Sequence, residues 1–152
     1  MEMRAVSQIR WVIVLLGFMS WGAPARAQDV VIVANKALQI STITDADLRA
    51  IFTGAKTRFA DGSHAVPVIL NGGAVHEVFL KKHVGQNAED FRAQWRKKVF
   101  TGEGAMPKSF DSEAALLEYV AATPGAVGYV SRPPEQDNVK QLVVVDVFKR
   151  KP

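Results

Sequence analysis

A chain of 152 residues with no cysteine has no disulfide to staple it and no thiol to carry a lipid, so its fold must stand on an apolar core alone. The formal net charge of +4 does not make a nucleic-acid footprint. The first 27 residues hold Arg4, Arg10 and Arg26 against Glu2, leaving 16 Lys+Arg against 14 Asp+Glu spread along the remainder.

The N-terminus has the pattern of a cleaved secretory signal over residues 1–27. Two arginines lie in Met1 to Arg10, Trp11 to Trp21 (WVIVLLGFMSW) is almost wholly apolar, and Ala25-Arg26-Ala27 is a small-x-small cleavage site. The apolar stretch is eleven residues, short of the roughly 20 that span a bilayer as a helix. Cleavage predicts a soluble, unlipidated, exported chain from Gln28 to Pro152, a single domain of 125 residues able to bury a core without staples.

Val30 to Ala34 (VVIVA) is apolar at every position and reads as a buried strand. Thr44, three residues before Asp47, caps a helix whose Leu48, Ile51 and Phe52 share one face and which Gly54 ends. Gly54 to His64 is a polar loop with a tight turn at Asp61-Gly62. Val66 to Leu70 is the second buried strand, with Pro67 placing it near an edge or at its own beginning. Gly72-Gly73 opens a helix with Val75, Val78, Phe79 and Leu80 as its apolar stripe, stopping near Gly85. Asn87 caps the next, with Phe91, Trp95 and Val99 inward. Its basic run Arg92 to Lys98 is the solvated face of that amphipathic helix. Thr101 to Ser109, with two glycines and a proline, predicts loop. Asp111 or Ser112 then starts a helix with Ala115, Leu116, Tyr119 and Val120 inward, stopped by Thr123-Pro124-Gly125. Strands over Ala126 to Val130 and Leu142 to Val147 complete an α/β domain whose strands are covered on both faces.

Catalytic chemistry finds little footing. There is no cysteine and no G-x-S-x-G elbow, and neither phosphate-loop motif matches. His76 and His83 are seven apart on one helix, whereas a ligand pair there wants three or four, so His64, His76 and His83 are read as surface residues and no metal or cofactor is expected. Asp45, Asp47, Glu89 and Asp90 sit in first helical turns, where acids favour the positive end of the dipole. What remains is Asn71-Gly72-Gly73-Ala74-Val75-His76. It is a strand end running into a helix, whose free amides from about Gly73 to His76 would suit a small anion beyond the carboxyl end of the strand. Asn-Gly-Gly serves equally well as a plain turn, and both readings stay open.

Four stretches together resemble the phosphate-binding-protein-like family, whose best-known members are the periplasmic receptors of phosphate ABC importers. They are TDADLRAIFTGAKTRFADG (44–62), VPVILNGGAVHEVFLKK (66–82), the tryptophan-bearing helix into VFTGEG, and EAALLEYVAATPGAVGYVS (113–131). The most specific pieces are Ile51-Phe52-Thr53-Gly54 and Gly125-Ala126-Val127-Gly128-Tyr129. The resemblance implies an α/β fold that is a single lobe of a type II periplasmic binding protein, with a mixed, mostly parallel sheet flanked by helices. It also implies a non-enzymatic periplasmic receptor for a small oxyanion such as phosphate, with Asn71 to His76 as the contact and a membrane transporter or sensor as partner. Two departures weaken that contact. Counted back from Phe79, the family's Ser-Gly-Thr positions hold Gly73, Ala74 and Val75, and its arginine position holds Ile69. A lone lobe also cannot close over its ligand, although a homodimer pairing two open faces would rebuild an enclosed site. The alternative is an interaction module of the same fold that has lost its ligand, with Phe59, Met106 and Phe110 as its apolar patch.

Overall fold

The computed structural model describes residues 29–147, so the signal read over 1–27 lies outside the described residues. In chain order the elements are β1 (Val31–Asn35), β2 (Thr42–Thr44), α1 (Asp45–Phe52), β3 (Val66–Leu70), α2 (Ala74–Phe79), a π-helical turn (Leu80–Val84), α3 (Ala88–Phe100), β4 (Lys108–Phe110), α4 (Glu113–Ala122), β5 (Ala126–Val130) and β6 (Val139–Val145). The capping residues do what their types require. Thr44 Oγ1 accepts from Asp47 N, Asn87 Oδ1 from Asp90 N and Ser112 Oγ from Ala115 N, each satisfying one orphan amide of its helix.

The strands form one sheet in the order β2-β6-β1-β5-β3-β4. β3 pairs parallel with β4 and β5, and β2 pairs parallel with β6. β1 is antiparallel to both its neighbours, so it alone runs against the rest and the sheet is mixed but mostly parallel. The two faces separate at consecutive residues of β5. A Cβ on Gly128 would meet Leu116 of α4, while Tyr129 packs on the opposite face against Phe52 of α1 and Phe79 of α2. α3 joins that second face through Trp95, whose Nε1 donates to the carbonyl of Phe52.

Several expectations need correction. The sheet is not covered throughout: Val143 and Val145 of β6 are exposed. α4 packs mainly on β5, β1 and β3 and only touches β6, which leaves the β6–β2 margin largely outside its cover. Lys108 and Ser109, read as loop, pair with Val68 and Ile69 as the short edge strand β4. β3 is consequently an interior strand, and Pro67 is tolerated because the β4 ladder begins one residue after it. β2, Thr-Ile-Thr, is β-branched throughout but only three residues long, and it exists by pairing with β6. β6 begins at Val139, three residues before the expected start. Val99 is half-exposed, since only Phe91 and Trp95 of α3 reach the core. Phe59 is buried, because its loop turns back through Phe59 N to Ser63 O and Gly62 N to Phe59 O. His76 and His83 are buried as well, and only His64 is exposed.

Candidate functional site

β3 ends at Leu70, and Asn71 N donates to Phe110 O, extending the β3–β4 pairing by one residue. Asn71 Nδ2 reaches Asp111 Oδ1 at 3.0 Å, which ties the turn to the start of α4. Gly73 is the N-cap of α2, with φ 91° and ψ 171° and no side chain capping the helix. That conformation is open almost only to glycine. A Cβ on Gly73 would touch nothing within 4 Å, so the backbone angle, not close packing, demands the glycine. Glu77 N bonds back to Gly73 O, leaving Ala74, Val75 and His76 as first-turn amides with no carbonyl a turn earlier in the helix.

The six sequence-predicted site residues therefore divide. Asn71, Gly72, Gly73 and Ala74 form an exposed turn, while the side chains of Val75 and His76 are buried and only their backbone belongs to it. The same end of the sheet carries Glu113, whose Oε2 accepts from both the amide and the hydroxyl of Ser131 just beyond β5. Asp111 and Glu113 thus put two carboxylates near the turn.

The residue that sequence reasoning missed is Tyr129. Its hydroxyl accepts from Leu70 N at 3.0 Å and also meets Nδ1 of His76 in a short contact, so one buried oxygen holds both the last residue of β3 and the first turn of α2. The hydroxyl proton needs an acceptor, and His76 Nδ1 is its remaining partner. Nδ1 is therefore unprotonated and His76 is neutral with its proton on Nε2. Burial first, then the charge of Arg92, lowers the His76 pKa, in agreement with that tautomer, while Glu77 acts weakly the other way. Burial raises the Tyr129 pKa far above its usual value, so the phenol stays protonated. The ring stacks on Phe79 with centroids 3.8 Å apart. The available signal was a lone phenol in an otherwise all-apolar strand, since a buried tyrosine hydroxyl needs a partner.

His83, at the end of the π-helical turn, meets Asp45 Oδ1 through Nδ1 at 2.7 Å, and its carbonyl accepts from Arg49 Nε. Asp45 therefore does more than favour the α1 dipole: it clamps the π-helical turn to α1. Asp47 likewise contacts Lys56, which lowers its pKa. Both buried histidines are committed to structural partners, neither of which is a serine. Among the described residues no group of three or more metal-ligating side chains is assembled, and no helix is long and apolar enough to cross a membrane.

No protein-family model and no curated protein matches the chain. Solved structures do. A Clostridium perfringens protein described as a phosphate ABC transporter substrate-binding protein, with bound phosphate, aligns at a TM-score of 0.60 and 19% identity over 76% of this chain and 44% of its own. An ABC-type phosphate transport receptor from Vibrio cholerae aligns at 0.57 and 16% identity, covering 76% of this chain and 45% of the receptor. PstS from Borrelia burgdorferi aligns at 0.53 and 16% identity over 81% and 48%. The chain thus spans less than half the length of each. The alignments cover one sheet and its helices, and the described residues have the fold of a single lobe of a type II periplasmic binding protein.

Proposed function

We propose that this protein is a non-enzymatic, exported solute-binding protein of the phosphate-receptor type, contacting a small oxyanion at the Asn71–His76 turn. The observation that carries the reading is Gly73. Its left-handed backbone starts α2 without a side-chain cap, so the first-turn amides meet an exposed turn at the carboxyl end of β3. The structural likeness to phosphate transport receptors suggests the ligand class and makes a membrane transporter the natural partner. Binding is weak. The turn offers no cationic side chain, and Asp111 and Glu113 oppose an anion.

Ala74→Asp tests this cleanly. A carboxylate at the first helical position favours the dipole and leaves the fold intact, yet it occupies the anion's place. Calorimetric titration with phosphate and sulfate should give saturable heat in the parent and none in the variant. Identical heat in both would move any anion away from this turn, and no heat up to about 10 mM would make Asn-Gly-Gly a turn only.

A second reading, the ligand-free interaction module, draws on exposed apolar side chains. Of the three expected residues Phe59 is buried and Phe110 packs on Tyr119, but Met106 is 41% exposed, near Val99 and Phe100 in sequence at 50% and 93%. That reading predicts that Phe100→Ser weakens a partner complex without touching anion binding.

A further inference from the structure

Asparagine and aspartate carry a latent reaction with their own backbone. The nitrogen of the following residue can bond to Cγ and close a five-membered ring, provided that it is free to give up its proton and that the side chain it bears leaves room for the approach. The other asparagines among the described residues, and the aspartate-glycine pair at 61–62, are restrained against it. Lys36 N, after Asn35, donates to Asn138 O; Gly62 N, after Asp61, donates to Phe59 O; and Val139 N, after Asn138, donates to Gln136 O. Asn87 is held at both ends of its amide by Asp90.

At Asn71-Gly72 the attacking nitrogen is free. Gly72 N makes no hydrogen bond among the described residues. Gly72 has no Cβ, and one built there would meet nothing within 4 Å. Both residues are exposed. The remaining restraint on the Asn71 side chain is the exposed bond from its Nδ2 to Asp111 Oδ1 at 3.0 Å. That bond turns the amide toward the start of α4, and the carboxylate's charge disfavours loss of a neighbouring amide proton.

We propose that Asn71-Gly72 is a self-modification site, at which Asn71 converts to aspartate and isoaspartate at a rate set by Asp111. Hydroxide removes the Gly72 amide proton, the nitrogen bonds to Cγ, and the Cγ–Nδ2 bond breaks with release of ammonia. Water then opens the ring. Attack at Cγ leaves aspartate, and attack at the main-chain carbonyl leaves isoaspartate, whose backbone runs through Cγ and is one carbon longer. Nothing is oxidised or reduced. Either product puts a carboxylate opposite Asp111 in place of an amide donor, so the tie between the turn and α4 becomes a repulsion. On the anion reading above, on which this consequence alone rests, the same event ends oxyanion binding.

The test incubates the intact protein at mildly alkaline pH beside a peptide of residues 68–77, and peptide mapping by mass with an isoaspartyl methyltransferase locates the product. Conversion should be confined to Asn71 and slower than in the peptide by about tenfold at most, the worth of one net hydrogen bond. Asp111→Ala should close that gap. Gly72→Ala should slow conversion at least about tenfold, because a Cβ beside the attacking nitrogen restricts the backbone angles that bring it to Cγ. Circular dichroism verifies the fold of each variant, and Asp111→Ala keeps the test decisive if Gly72→Ala unfolds. Phosphate titration of the separated product addresses the consequence by itself: heat equal to the parent's would overturn the anion reading and leave the mapped modification standing. No product at Asn71 while the peptide converts, product at Asn35, Asn87 or Asn138 at an equal rate, or an unchanged rate in Asp111→Ala would each overturn the assignment.

Discussion

Tyr129→Phe isolates one oxygen. The phenyl ring retains the 3.8 Å stacking on Phe79 and the packing near Phe52, so no cavity opens. What is lost is the partner of Leu70 N and of His76 Nδ1, in residues that are respectively 6% and 3% exposed. Leaving a buried donor or acceptor unpaired costs about 1–3 kcal/mol, so the two together predict about 2–4 kcal/mol, less where a water or a ring flip rescues the imidazole. Urea unfolding followed by circular dichroism measures it. With a slope of about 1–3 kcal/mol per molar, the midpoint should fall by about 1–2 M at unchanged slope. The loss should be accompanied by weaker anion binding at the Asn71 turn, because the hydroxyl holds both ends of that turn. A change below about 0.5 kcal/mol would refute the view that this hydroxyl positions the junction of β3 and α2.

The lowered pKa of His76 sets a pH dependence. Below its ordinary value of 6.5 the unfolded chain binds a proton that the folded chain resists, so stability is complete above that pH and falls as the pH drops toward the depressed folded value. Thermal unfolding between about pH 7 and pH 5 should lose this slope in His76→Gln. Gly125 and Gly62 both have positive φ, 80° and 83°, but a Cβ on Gly125 would sit 2.3 Å from His64 O while one on Gly62 meets nothing. Denaturant midpoints should therefore register at least about 3 kcal/mol for Gly125→Ala against about 1–2 kcal/mol for Gly62→Ala, and equal losses would contradict the close approach. Asn35 donates to the carbonyls of Val120 and Ala121 and accepts from Ala37 N, tying β1 to the last turn of α4. Asn35→Ala should cost about 2–4 kcal/mol in the same assay.

How much of this was legible depended on how local the cause was. Thr44, Asn87 and Ser112 cap helices that begin at the next residue, and the runs 31–34 and 66–70 are apolar throughout, as is 126–130 but for the phenol of Tyr129, because they lie between layers. The three-residue strands β2 and β4 were not legible, since each is too short to be read alone and is defined by its pairing with β6 or β3. The histidines defeated the sequence for a related reason. His76 Nδ1 is met by Tyr129, 53 residues away, and His83 Nδ1 by Asp45, 38 residues away, although His83 Nε2 is buried without a hydrogen-bond partner, so their burial is a property of the assembled sheet. The Asn71 turn could be read from Asn-Gly-Gly before an apolar stripe. Its supporting phenol could not, because nothing near Tyr129 in the chain names its partners.

Salt tests how charge enters binding at the Asn71 turn. At the Asn71 turn an anion meets backbone dipoles with Asp111 and Glu113 nearby, and the charge of Arg92 reaches the adjacent His76. Raising ionic strength from about 0.01 to 0.1 M shortens the screening length from about 30 to 10 Å. That screens the carboxylates' repulsion as much as any attraction, so phosphate affinity there should stay flat or rise. A phosphate affinity that drops by more than about threefold would mean that a cationic side chain, with Arg92, whose charge reaches His76, as the candidate, holds the anion in place of the amides. The lobe would then have rebuilt from α3 the charge that its Gly73, Ala74 and Val75 cannot supply.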